Sequence, residues 1–185
     1  MSKRAVLVVD LQNDYLPTGK FPLAGIGPAM ENAARVIADA RGRGDKVVYI
    51  RHEFPSADAP FFVPGSEGAQ IHASAAPAEG EPVIVKNQIN AFLDTDLKQV
   101  FDADGIEEVT VVGAMSHMCI DAAARAASDL GYRTTVVHDA CATRDLEFNG
   151  EVVPAAQVHS AYMSALAFGY AKVTTTGEYL AAPAA

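Results

Sequence analysis

Short apolar runs rich in β-branched residues recur along the chain, separated by stretches whose apolar positions fall at helical spacing. The first, Ala5-Val6-Leu7-Val8-Val9, is continuous rather than alternating, the pattern of a strand covered on both faces in a parallel sheet. It stops at Asp10. A loop marked by Pro17, Gly19 and Pro22 leads to a predicted helix from Pro28 to Arg41, with Met30, Ala33, Ala34, Ile37 and Ala38 on one face. Val47 to Ile50 is a second buried strand, and the crossover between the two is long enough to make them parallel and right-handed.

Residues 51 to 82 lack periodicity and are broken by prolines and glycines, which predicts an extended loop with at most a helical turn. Val83 to Val85 is a short third strand ending at Lys86, followed by a helix from Asp94 to Ala103. Val109 to Val112, Arg133 to Val137 and Ala171 to Thr174 are further strands, with helices over Ile120 to Leu130 and Val153 to Phe168. Strand and helix alternate throughout. That predicts a three-layer α/β/α fold, a mainly parallel sheet with helices on both faces, in one domain spanning residues 1 to 185. The AAPAA tail is expected to fray.

The balance of 14 basic against 23 acidic side chains gives a net charge of −9, and no basic run interrupts it, so nucleic acid and acidic membranes are excluded as partners. The apolar run at the start is too short for a signal peptide, and no segment suffices for a transmembrane helix, so a cytoplasmic protein is expected. Both cysteines, Cys119 and Cys141, are then thiols, and neither has the spacing of a zinc or thioredoxin pair.

Ligands of open parallel sheets bind at the carboxyl ends of strands. Three polar residues stand there: Asp10, Lys86 and, just beyond the fourth strand, Cys119. Alone, Asp10 reads as a loop cap, Lys86 as a solvated charge and Cys119 as a small buried hydrophobe. Together they make a nucleophile, a base and a cation. A helix N-terminus and a neighbouring ammonium favour the thiolate that attacks carbonyls, and a carboxylate can carry the proton to a leaving amine. The turn before Cys119 can aim backbone amides at an oxyanion.

Four blocks, LVVDLQNDY at 7–15, VKNQINAFLDTDL at 85–97, VVGAMSHMCIDAAARAASDLGY at 111–132 and VVHDACATRD at 136–145, stand in order. In these the chain resembles the isochorismatase-like cysteine hydrolases, which include nicotinamidases, N-carbamoylsarcosine amidohydrolases and streptothricin hydrolases. The resemblance implies that Asp10, Lys86 and Cys119 are catalytic, that a non-proline cis peptide joins Ala114 to Met115, and that the amides of Met115 and Cys119 form an oxyanion hole. It implies a small-molecule amide, imide or carbamoyl substrate, no cofactor, and a homodimer or homotetramer. Phe21, His52, Phe54, Asn90, Phe92 and Tyr162 are candidates for the substrate pocket, as are Phe61 and Phe62, with core packing the simpler role for at least half of the aromatic ones. Substrate choice is expected to lie in residues 51–82 and 144–153.

One departure stands out. Nicotinamidases of this family hold a metal through an Asp-x-His pair after the second strand, where this chain reads Arg51-His52-Glu53. A set built on His52, Glu53 and His72 has no established spacing, so no metal is expected and His52 is assigned to a loop or substrate contact. His117 is expected to pack or line an interface, His138 and His159 to belong to the framework, Cys141 to be buried in a DACAT turn, and Asp14 to brace the DLQND loop. The rival readings are a vinyl ether hydrolase of the same fold, a phosphatase built on Asp10, and a binding module that has lost catalysis.

Overall fold

The computed structural model describes residues 3–182. Six parallel strands form one sheet in the order β3-β2-β1-β4-β5-β8, from β1 (Arg4–Val9), β2 (Lys46–His52), β3 (Val83–Lys86), β4 (Glu108–Ala114), β5 (Arg133–Ala142) and β8 (Lys172–Thr174). The remaining strands, β6 (Leu146–Phe148) and β7 (Glu151–Val153), pair antiparallel as a hairpin. The helices are α1 (Ile26–Arg43), α2 (Leu97–Ala103), α3 (Asp121–Asp129), α4 (Ala155–Gly169) and α5 (Thr176–Ala181). None among the described residues is long and apolar enough to cross a membrane.

The continuous apolar run of β1 supplies two cores, because successive side chains point to opposite faces. Val6 and Val8 pack with Met30, Ala33 and Ile37 of α1, and Tyr179 of α5 lies against the same cluster. Ala5, Leu7 and Val9 face Leu97 and Phe101 of α2, Ala123 and Ala127 of α3, and Met163 and Leu166 of α4. This is the three-layer arrangement that alternation predicts. Strand order reverses between β1 and β4, so their carboxyl ends open a crevice at the switch point, and Asp10 and Met115 stand on its two sides.

The structure corrects several boundaries. The buried face of α1 is Ile26, Ala29, Met30, Ala33, Val36, Ile37 and Ala40, whereas Ala38 is exposed and Ala34 only half-buried. Strand β2 runs on to His52, so that residue belongs to the sheet and not to the following loop. Strand β5 runs through the DACA segment, making Cys141 a buried strand residue and not part of a turn. The hairpin β6–β7 and helix α5 were not expected at all. Of the AAPAA tail, residues 183–185 lie outside the described residues.

One glycine shapes the crevice. Gly113 has φ +129°, and a Cβ there would lie 1.9 Å from the carbonyl oxygen of Val9, its partner in the β1–β4 ladder. Only glycine lets β4 pass that close to the residue preceding Asp10.

Candidate active site

Asp10 follows β1 in a left-handed conformation (φ +51°), which Asp tolerates better than most residues, and its amide still donates to the Ile50 carbonyl of β2 at 3.1 Å. Lys86 ends β3 in register with His52 of β2. Cys119 comes from a π-helical turn, Ser116–Ile120, which runs directly into α3 and begins just past the cis peptide between Ala114 and Met115. Three strand ends and one helix start thus bring the predicted residues together.

The Lys86 ammonium is the centre of the cluster. Its Nζ lies 2.9 Å from Asp10 Oδ2, 3.2 Å from Cys119 Sγ, 2.7 Å from His52 Nδ1 and 3.1 Å from the Gln88 carbonyl oxygen. Asp10, Lys86, His52 and Cys119 are all buried. Burial pulls the Lys86 pKa down, but the charge of Asp10 and the proximity of Cys119 outweigh it, and the net shift is upward. Lys86 stays an ammonium.

Cys119 moves the other way from the sequence-based expectation. Burial, with the Asp10 carboxylate next in importance, raises its pKa far above that of a free thiol, and Lys86 offsets only part of this. The resting group is a thiol. It needs a base, and Asp10 has spare capacity: although Oδ2 is at ion-pair distance from Lys86, neither carboxylate oxygen receives a well-aligned hydrogen bond from the described residues. An unsatisfied carboxylate beside a neutral thiol can accept its proton.

A cavity of about 390 Å³ opens over Cys119. Its walls include Phe21, His52, Phe54, Phe61 and Phe62 from the predicted pocket residues, together with Tyr15. Phe21 and Phe61 stack at 4.1 Å between ring centroids, and the Arg144 guanidinium lies 4.3 Å from the Phe21 centroid. Three predicted pocket residues lie elsewhere. Phe92 packs on Phe101 and Tyr132 in the core beneath α2, Asn90 caps its own turn by accepting from the Phe92 amide, and Tyr162 of α4 meets the edge of His117. His117, by contrast, lines the cavity, with Nδ1 2.6 Å from Thr143 Oγ1.

Residues 144–147, leading into the β6–β7 hairpin, complete the wall. Both segments expected to govern substrate choice, 51–82 and 144–153, therefore contribute to it. The sequence reading missed Gln12, whose side chain clamps the main chain of His52, accepting from its amide and donating to its carbonyl at 2.8 Å each, and also donates to Ala69. Asp14 reaches beyond the DLQND loop, accepting from Phe62 N at 2.7 Å and Lys20 N at 3.3 Å, and so pins the aromatic wall.

The metal question has a structural answer. His52, Glu53 and His72 do not converge: Glu53 pairs with Arg51 and His72 caps its own helical turn. Asp10, His52 and Cys119 do offer ligand atoms within 4.8 Å of one another. This set does not fit a resident metal, because the Lys86 ammonium already lies within 3.2 Å of all three and a divalent ion would sit against it. His138 and His159 lie together away from the cavity, 5.8 Å between centroids, with His159 bonded to Ser116.

The isochorismatase domain model matches residues 4–178. The chain is 46% identical over 176 residues to the isochorismatase family protein YddQ of Bacillus subtilis, covering 95% of this chain and 98% of that one. It is 34% identical over 156 residues to maleamate amidohydrolase of Pseudomonas putida, covering 77% and 73%. The crystal structure of an isochorismatase-type hydrolase from Oleispira antarctica superposes with a TM-score of 0.94 at 56% identity, covering 97% of this chain and 96% of the other.

Proposed function

The chain belongs to the isochorismatase family of hydrolases, and from that premise we propose that it is a cysteine amidohydrolase cleaving a carbon–nitrogen bond in a small molecule. The observation that carries this is the single ammonium of Lys86 within bonding distance of both Asp10 and Cys119 at the base of an aromatic cavity. Amidohydrolases among the relatives support the same bond class.

In this mechanism the Cys119 thiol gives its proton to Asp10 as the sulfur attacks the scissile carbonyl carbon, and the carbonyl electron pair moves to oxygen. Lys86 stays protonated, offsets charge on sulfur and carboxylate, and holds them in register. The amides of Met115 and Cys119 are the assigned oxyanion donors. Collapse expels ammonia or an amine, which takes the proton from Asp10 and leaves a Cys119 thioester. Water then attacks the thioester, Asp10 accepts a proton from it, and collapse returns that proton to the sulfur as the acid departs.

Self-association as a dimer or tetramer belongs to the same proposal. It is supported by α4, which has no charged side chain between Ala155 and Gly169 and leaves Phe168 95% exposed. Sedimentation tests it. The catalytic reading is tested by an ammonia-release screen over small amides, ureido acids and carbamoylated amines, with Cys119→Ala as blank. Release by the wild type alone supports it. Equal release by both proteins refutes it.

A further inference from the structure

We propose that His52 is a substrate-recognition residue: its Nε2–H, buried and unpartnered in the wall of the Cys119 cavity, donates a hydrogen bond to an acceptor atom that the amide substrate carries next to its scissile carbonyl. The proposal rests on the amidohydrolase reading and adds to it a chemical requirement on the substrate.

The tautomer follows from the neighbours. An ammonium has only hydrogens to offer, so at 2.7 Å the Lys86 Nζ donates to His52 Nδ1, and the ring proton must sit on Nε2. His52 is 3% exposed, and its Nε2 finds no hydrogen-bond partner among the described residues. A buried N–H without an acceptor is costly, so its retention at a cavity wall points to an acceptor that arrives with the ligand. Burial and the Lys86 charge hold the imidazole pKa down to about 4, with Asp10 and the Gln88 carbonyl opposing only in part, so the donor is neutral at physiological pH.

The ring is also held in place. Gln12 fixes its backbone on both sides, Lys86 fixes Nδ1, and Phe54 and Phe62 lie 4.6 Å and 6.0 Å from the ring between centroids. Phe54 and Phe62 flank the ring and Nε2 has almost no accessible surface, so water is poorly placed to satisfy it. A neutral, fixed donor selects an uncharged or anionic acceptor, such as a ring nitrogen, ether oxygen or keto oxygen, and rejects the isosteric CH.

Two substitutions separate this role from support of Lys86. His52→Asn keeps an acceptor near the Nδ1 position and removes the distal donor, whereas His52→Gln keeps the distal donor and loses the acceptor. Kinetics on matched pairs, picolinamide against benzamide and 2-methoxyacetamide against butanamide, provide the readout. The wild type should favour the acceptor-bearing member by on the order of 30-fold in kcat/KM. In His52→Asn that preference should fall to about threefold or less, chiefly through KM, and in His52→Gln a part should remain. A preference undiminished in His52→Asn, or lost only in His52→Gln, overturns the proposal.

Nitrogen-15 spectroscopy of the wild type gives a test that needs no turnover. The Nε2-protonated neutral ring, with its Nε2 resonance shifted by picolinamide and not by benzamide, is the expected result. An Nδ1-protonated ring overturns the proposal. Loss of the proposal leaves the amidohydrolase reading intact, whereas full turnover by Cys119→Ala removes that reading on its own.

Discussion

Lys86 Nζ lies 2.9 Å from Asp10 Oδ2 with neither side chain exposed to solvent. Removing two charges from water costs more than their attraction alone returns unless further polar contacts complete the arrangement. Here the ammonium supplies those contacts by reaching His52, Gln88 and Cys119 as well, while the carboxylate keeps its oxygens free of aligned donors. The pair is organised for proton transfer at Asp10 and for fixed charge at Lys86.

Lys86→Met should therefore abolish turnover and lower stability by about 3 to 5 kcal/mol, because it strands a buried carboxylate. The Asp10→Asn, Lys86→Met double variant should recover part of that loss. Urea denaturation of the two variants checks this; a double variant less stable than Lys86→Met contradicts it.

Cys119 should react slowly with iodoacetamide at neutral pH, because burial and Asp10 hold it as the thiol. Asp10→Asn removes the neighbouring negative charge, so labelling should accelerate by about tenfold for each pKa unit recovered, even as turnover is lost. Peptide mapping distinguishes this site from Cys141, whose pKa burial pushes up to about 12. Rapid wild-type labelling at pH 7 contradicts the account.

His52 has a pKa of about 4 in the folded chain against an ordinary 6.5. Between those values the unfolded state binds the proton and the native state does not, so the stability contribution is complete above pH 6.5 and is lost as pH falls toward 4. The expected loss is on the order of 2 kcal/mol. It should appear as a shrinking difference between wild type and His52→Asn in urea midpoints measured from pH 7 to pH 4. A difference that grows on acidification contradicts it.

Gly113→Ala forces a Cβ against the Val9 carbonyl at a φ of +129°. It should lower stability by about 2 kcal/mol or more and reduce activity through displacement of Asp10. Thermal unfolding and ammonia release should fall together.

The strands at Ala5–Val9 and Val109–Val112 were legible because continuous β-branched runs need burial on both faces, and this placed Asp10 and Cys119 at strand ends. Lys86 was legible as the polar end of the short β-branched run Val83–Val85, although that run forms an edge strand with Val83 and Val85 exposed. The β6–β7 hairpin carries its own turn signal in Asn149-Gly150, both at positive φ, between Leu146–Phe148 and Glu151–Val153. Helix α5 had one too, the capping box from Thr175 to Glu178.

What the sequence withheld was tertiary. The raised thiol pKa depends on burial in the core between the sheet and its helices and on the Asp10 charge, and the helix-terminus argument for a thiolate omits that cost. Arg51 and Glu53 interrupt the apolar pattern of β2 and make His52 read as a loop residue, although it ends the strand with its ring against Lys86. Phe92 and Tyr162 carried no sign of which side of the sheet they would occupy.

The most direct test of the central claim is intact-mass analysis of protein quenched in acid during turnover of an amide that releases ammonia. The account predicts an acyl adduct equal to the substrate minus its amine, mapped to Cys119 and lost on hydroxylamine treatment, with none in Cys119→Ala. Steady turnover by Cys119→Ala at the wild-type rate, with no adduct on either protein, would contradict it.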